Sequence, residues 1–258
     1  MTTLAHRPDL TELLDAPAPD RPTLAGNLRD IRLVNRALGF AAAVVREVAA
    51  VTARIGRADW TLLDVATGLA DIPLAIVRWA RRRGLRPRVL AGDLSPAVLA
   101  AARGHAGRAP EIALLRFDAL HAPFADRGVD IVTCSLALHH FAPDDAVALL
   151  RELGRIAGHA LIVSDLERCV PGYLGACLLA AVLRNRMTHH DAPVSVLRAY
   201  TVEEVRRLAA DAGLANARVA RRFAFRLVLL WQRVEGRRSN VEGQCTPESP
   251  AARPRTDL

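Results

Sequence analysis

Three aspartates and two histidine groups hold most of the chemistry this chain can offer. Asp71 closes the turn Asp64-Val65-Ala66-Thr67-Gly68-Leu69-Ala70-Asp71, Asp93 stands in Gly92-Asp93-Leu94-Ser95-Pro96, and Asp118 follows Phe117. Each sits just after a short apolar run, where a strand would end. In α/β sheets ligands bind beyond the carboxyl ends of the strands, and an acid after the second strand can accept hydrogen bonds from a ribose diol. A pyrophosphate would avoid such a rim of carboxylates; a cationic, amino-bearing adenosine derivative would tolerate it. Taken singly, each aspartate could simply cap a turn or a helix. Their joint placement at three successive strand ends favours a ligand site.

His139 and His140, in Cys134-Ser135-Leu136-Ala137-Leu138-His139-His140-Phe141, follow the fourth strand and can act as bases near neutral pH. The preferred base is His140. A second group, Met187-Thr188-His189-His190-Asp191, lies in a polar stretch that can fold over the site, with His189 a further candidate and Asp191 able to orient an imidazole. A metal site is not expected, because neither group shows ligand spacing on a regular element.

The elements that must position these residues alternate. Strands are predicted at 61–65, 88–92, 113–117, 129–135 and 160–164, with helices at 72–83, 96–103 and 144–157 between them. That alternation argues an α/β fold with a doubly wound, mostly parallel sheet and right-handed crossovers. Two near-contiguous strands, 217–223 and 225–232, complete seven. Ahead of the sheet, 24–37 and 40–54 are predicted helices, separated by Gly39, able to lie over the carboxyl edge as a lid. The organisation is a loose arm over 1–22, lid helices over 23–56, and the main domain over 57–234. An insertion at about 170–200 holds an apolar helix, 170–183, then the polar stretch 184–200. The tail 235–258 has a disordered composition.

Composition narrows the partners. All 35 basic residues of the 258 are arginine, which with the abundant alanine reads as coding bias and lowers the weight of arginine counts. The net charge of +8 could suit an acidic partner, but the dense run 78–88 lacks interleaved aromatics, so nucleic acid is not expected. Four cysteines without a C-x-x-C pair fit a reducing compartment. There is no signal-peptide pattern, and the longest apolar run is far short of the ~20 residues of a membrane span. A cytoplasmic protein with no membrane span is expected.

At this point the chain resembles the class I S-adenosylmethionine-dependent methyltransferases of the small-molecule type. The residues that carry the likeness are Leu62 to Pro73, Gly92 to Pro96, Phe117-Asp118-Ala119, Pro123-Phe124 through Asp130-Ile131-Val132, and Ser135 to Phe141. It departs at Ala66 and Ala70, where the family prefers glycine. The resemblance implies a Rossmann-like methyltransferase fold and S-adenosylmethionine as cofactor. Asp64, Ala66, Thr67, Gly68, Ala70 and Asp71 would hold the methionine portion, Asp93 with Leu94 the ribose, Asp118 and Ala119 the adenine, and Ser135 the wall near the sulfonium. It also implies a small-molecule acceptor in secondary metabolism: O-methylation of an aromatic or polyketide-like metabolite, or alternatively C-methylation of a quinone-like or polyketide substrate. A non-catalytic binding subunit on the same fold is the reading from a different class. Oligomeric state is left open.

Overall fold

A computed structural model describes residues 4, 6–15 and 20–234. After a short 3-10 turn at Leu13–Asp15 come two helices, α1 (Arg21–Ala37) and α2 (Phe40–Ile55). Then β1 (Asp59–Val65), α3 (Asp71–Arg81), β2 (Arg86–Asp93), α4 (Pro96–Ala106), β3 (Ile112–Arg116) and β4 (Val129–Ser135) alternate. The chain continues through α5 (Pro143–Ile156), β5 (Ala157–Leu166), α6 (Val170–Val182), α7 (Arg186–Arg198), α8 (Val202–Asp211), β6 (Arg218–Arg222) and β7 (Arg226–Gln232). The strands form one seven-stranded sheet in the order β3-β2-β1-β4-β5-β7-β6. Strands β1 to β5 pair in parallel, while β7 runs antiparallel to both β5 and β6. The order reverses between β1 and β4, and their carboxyl ends border the crevice where such sheets bind ligands.

Strand β1 shows why both faces are covered. Its side chains alternate with period two: Trp60 and Leu62 face a core shared with Val44 and Val48 of α2 and Ile76 of α3. Leu63 and Val65 face the opposite core, with Leu149 and Leu153 of α5 and Val205 of α8. Burial on both faces is what a near-continuous apolar strand requires. Helix α8 begins on a capping box, Thr201 with Glu204, which satisfies two otherwise free backbone donors.

Three sequence expectations change. Helix α2 packs on the sheet face through Val44, Val48 and Val51, and only its first residues, Phe40 to Ala42, reach the cavity that α1 lines. The polar stretch 184–200 is largely helix α7, despite Pro193 inside it. Its periodicity is masked because polar groups fill its buried face: Thr188 and Asp191 are buried beside Met187 and Val196. The third is the arm. Its described residues 6–15 are docked: Glu12 is 3% exposed, and Asp191 accepts hydrogen bonds from the Leu13 and Leu14 amides at 2.8 and 3.0 Å. The tail expected at 235–258 lies outside the described residues.

Glycine at position 92 is a packing requirement. A Cβ there would stand 2.0 Å from a ring carbon of Phe117, whose ring meets Phe124 edge-on with centroids 5.4 Å apart. Gly92→Ala is expected to destabilise the fold by about 1–3 kcal/mol, the usual range for overpacking, read as a lower thermal midpoint. An unchanged midpoint would show that the Phe117 ring can move aside.

Candidate functional site

The turn after β1 is the centre of the site. Ala66, Gly68 and Ala70 all have left-handed backbones, with φ of 55°, 55° and 58°. Glycine tolerates this at no steric cost, whereas an L-residue there costs roughly 1–2 kcal/mol. The alanines therefore stand at the glycine-preferring positions and adopt the glycine conformation. The turn is held from three sides. Asp64, 1% exposed, accepts hydrogen bonds from the Thr67 hydroxyl at 2.7 Å and, through its other oxygen, from the Thr133 hydroxyl of β4 at 2.6 Å. The Thr67 amide donates to Gly92 O at 2.9 Å. The Gly68 amide donates to Asp93 Oδ2 at 3.2 Å, while the Ser95 amide takes Asp93 Oδ1 at 3.0 Å.

Most of the sequence-predicted ligand residues converge on one cavity of about 1510 Å³ at the carboxyl ends of the strands. Ala66, Thr67, Gly68, Asp71, Asp93, Leu94, Asp118, Ala119, Ser135 and His140 all line it. Asp64 lines it too, with its two oxygens engaged by the Thr67 and Thr133 hydroxyls. One assignment needs correction. The side chain of Ala70 points inward and is fully buried against Leu74, Ala102, Ala106 and Ala109. Only its backbone serves the turn.

The aspartates also keep the plainer roles open to them. Asp118 caps the following 3-10 turn through the Leu120 amide at 2.9 Å. Asp71 opens α3 and meets Arg32 Nε at 3.3 Å and His105 Nε2 at 3.0 Å. Asp93 does more than cap, because it joins two backbone segments and still faces the cavity. Burial pushes its carboxyl above the usual carboxylate range, although its backbone donors oppose the shift. Additional hydroxyl donors from a ligand would stabilise the charged form. The Ser135 hydroxyl is buried without a partner at the end of β4, next to Leu136, itself left-handed at φ 54°. These features (a left-handed turn, a cavity-facing Asp93 and an orphaned Ser135 hydroxyl) fit a polar nucleoside-bearing ligand.

The histidines separate by burial. His139 is 3% exposed, with Nδ1 2.7 Å from Asp165 Oδ1 and its amide donating to Asp165 Oδ2 at 3.0 Å. Burial disfavours its imidazolium, but the Asp165 carboxylate prevails and raises its pKa. His139 Nδ1 is thus engaged by Asp165, while the residue also borders the cavity. His189 is exposed and lies outside the cavity lining, although Thr188 and Ala192 of the same helix line it. His190 pairs with Asp191 at 2.8 Å, and Asp191 is occupied by the Leu13–Leu14 turn. His139 and His140 both line the cavity; His140 is the more exposed of the two, with Asp15 Oδ1 2.8 Å from its Nδ1. Burial would raise the Asp15 carboxyl, but His140 and Arg198 hold it down at about 2.

Glu12, His139 and His140 bring three possible ligand atoms within 4.8 Å of one another. Asp165 holds His139 Nδ1, and the Ser195 hydroxyl donates to Glu12 Oε2 at 2.8 Å. Asp15 and Arg198 lie within ion-pair distance of His140 and Glu12, although Glu12 Oε1 and His140 Nδ1 make no hydrogen bond among the described residues. The cluster reads as an ion-pair network that fastens residues 12–15 over the site.

Sequence reasoning missed the arginines. Arg7 donates to the carbonyls of Arg198, His139 and Phe141, and lies 4.6 Å over the Tyr200 ring. Arg226 lines the cavity at 4% exposure. Burial lowers its guanidinium to about 10, against the pull of Asp165, so it remains charged at neutral pH. Coding bias in the composition hid both; the one available signal was the charge of Arg226 at the head of the otherwise apolar run 227–231.

Residues 63–159 match the family described as "Methyltransferase domain". That stretch of the chain is similar to a methyltransferase domain. Demethylmenaquinone methyltransferase of Thermus thermophilus is 34% identical over 146 residues, covering 55% of this chain and 64% of that protein. The Deinococcus radiodurans protein of the same name is 27% identical over 179 residues, covering 67% and 71%. The match thus spans somewhat under two thirds of the Thermus relative's length. Magnesium protoporphyrin IX methyltransferase of Synechocystis PCC 6803, solved with bound S-adenosylhomocysteine, shares the fold. Its TM-score is 0.53 at 18% identity, over 80% of this chain and 86% of that one. The seven-stranded, mostly parallel sheet is the one expected from the strand–helix alternation and the two closing strands.

Burial raises the Asp64 carboxyl from 3.8 to about 6, although both threonine hydroxyls oppose the shift. A folded pKa above the unfolded one means that Asp64's contribution is fully present below pH ~4 and is lost as pH rises through ~6. An amide in its place would not ionise. The stability of Asp64→Asn relative to the parent should therefore rise between pH 4 and pH 8, by roughly 2–3 kcal/mol. Urea unfolding at the two pH values measures it; a difference that does not change with pH would contradict the assignment.

Proposed function

We propose that this chain transfers a methyl group from S-adenosylmethionine to a small, largely apolar hydroxylated aromatic acceptor. The observation that carries the reading is the single continuous cavity. Its lining brings together the left-handed turn, Asp93 and Asp118 with Ile31 and Val34 of α1, Phe40, and Leu179 of α6. His140 stands among the lining residues in the same cavity. When bound, the cofactor would supply an electrophilic sulfonium methyl.

The chain's own contributions follow from chemistry of this kind. Asp93, with the Gly68 and Leu94 backbone beside it, would hold the ribose end, and Ser135 would face the reacting centre. The apolar helices exclude water and orient the ring, which is the main source of acceleration for an in-line displacement. His140 would take the proton from the acceptor's hydroxyl, with Asp15 steadying the resulting imidazolium. O-methylation is the first reading. Deprotonation of the same hydroxyl also activates a neighbouring ring carbon, and the likeness to the two demethylmenaquinone methyltransferases favours that second reading for a quinol acceptor.

Product analysis after incubation with deuteromethyl S-adenosylmethionine and a panel of phenols and naphthoquinols should find one labelled methyl on an oxygen or a ring carbon. His140→Ala should lower kcat by about 10²–10⁴-fold, the usual worth of a general base, while cofactor affinity changes less than twofold. Full turnover in that variant would remove His140 from the mechanism.

A further inference from the structure

The described arginines that are buried are satisfied in a consistent way, with one exception. Arg168 donates to the Glu204 carboxylate at 2.6 Å and to the carbonyls of Leu4 and Ala199. Arg198 donates to Asp15 at 2.7 Å and to His140 O at 2.6 Å. Arg226 has no carboxylate within ion-pair reach among the described residues. Its Nη2 donates to the neutral side chain of Asn35 at 2.9 Å. Its Nε and Nη1 have no hydrogen-bond partner among the described residues, and its guanidinium lies 4.4 Å over the Phe40 ring. A buried charge without a counter-charge is strongly unfavourable. It persists where something else compensates it.

The surroundings indicate what that is. Arg226 heads β7, paired in register with Leu166 at the carboxyl end of β5. It is therefore at the ligand edge of the sheet, and Asn35, Phe40, Leu166 and Arg226 all line the cavity. Asn35 comes from α1 and Phe40 from the start of α2, so three separate elements aim and stack one guanidinium. Phe40 fixes its plane, and Asn35 takes one nitrogen.

We propose that Arg226 is the specificity residue of the acceptor site, and that it binds an acceptor oxygen of full or partial negative charge: a carboxylate, a phenolate or a quinone carbonyl. Asn35 and Phe40 are its positioning residues. The acceptor then carries two oxygen functions, one addressed by His140 and one by Arg226, on an otherwise apolar body. This rests on the reading of the cavity as an acceptor site, and binding of S-adenosylhomocysteine, measured in parallel, separates the two failures.

The test measures binding to the full chain saturated with S-adenosylhomocysteine. The probes are 4-hydroxybenzoate, 1,4-naphthoquinone and naphthalene, each titrated against the parent, Arg226→Met and Arg226→Lys. The parent should bind at least one oxygenated probe about tenfold or more tightly than naphthalene, the discrimination expected of a hydrogen bond to a charged group. Whether 4-hydroxybenzoate or naphthoquinone gains the advantage tells a carboxylate or phenolate from a carbonyl. Arg226→Met should erase the advantage, leave naphthalene and S-adenosylhomocysteine within twofold, and melt no lower than the parent, because it removes an uncompensated charge. Arg226→Lys should restore part of the preference. A parent with no preference for oxygenated rings, including one that binds no probe, would overturn the proposal. So would an Arg226→Met protein that weakens all probes equally, or that melts lower with its selectivity intact.

Discussion

Three left-handed residues in five, at positions 66, 68 and 70, are the constraint on which the rest of the site depends. Two of them are alanines, so the turn stores backbone strain of a few kcal/mol in total by ordinary magnitudes. Buried hydrogen bonds hold it: Thr67 and Thr133 to Asp64, Thr67 to Gly92, and Gly68 to Asp93. The same bonds tie β1 to β2 and β4, so the strand ends on either side of the crevice cannot shift independently. Gly92 lies within this network, and the Phe117 ring occupies the space its missing Cβ leaves.

Charge then organises the approach to the cavity. Residues 12–15 are fastened over the fourth strand's end by Glu12, Asp15, Arg198 and the two histidines, and Arg7 binds the carbonyls alongside. His139 is consumed in this fastening through Asp165. His140 shares the network but is the more exposed of the pair, which is the distinction that matters for a proton acceptor. Deeper in the cavity Arg226 sets a second polar point against apolar helices. The result is a chamber with polar markers at separate places on apolar walls, suited to a flat molecule with a few oxygens.

Much of this was legible in the chain. The alternation of apolar runs and helix-forming segments gave the sheet, because a strand buried on both faces must be nearly continuous in apolar residues. The aspartates at three strand ends gave the cavity, because parallel strands all deliver their carboxyl ends to one rim. The left-handed turn was visible as small residues around Gly68. Helix α7 was not legible, since its buried face carries Thr188 and Asp191, whose partners come from residues more than 150 positions away. The choice between His139 and His140 was equally hidden: adjacent residues differ only in which one Asp165 reaches. Arg226 was lost among 35 arginines, because burial, not residue type, sets it apart.

The most direct measurement is calorimetric titration of the purified chain with S-adenosylhomocysteine, comparing the parent with Asp93→Ala. Saturable binding at a single site is expected, with the variant at least about tenfold weaker for loss of hydrogen bonds to a charged acceptor. No heat of binding in the parent, or equal affinity in both proteins, would contradict the assignment of the turn and Asp93 to the cofactor.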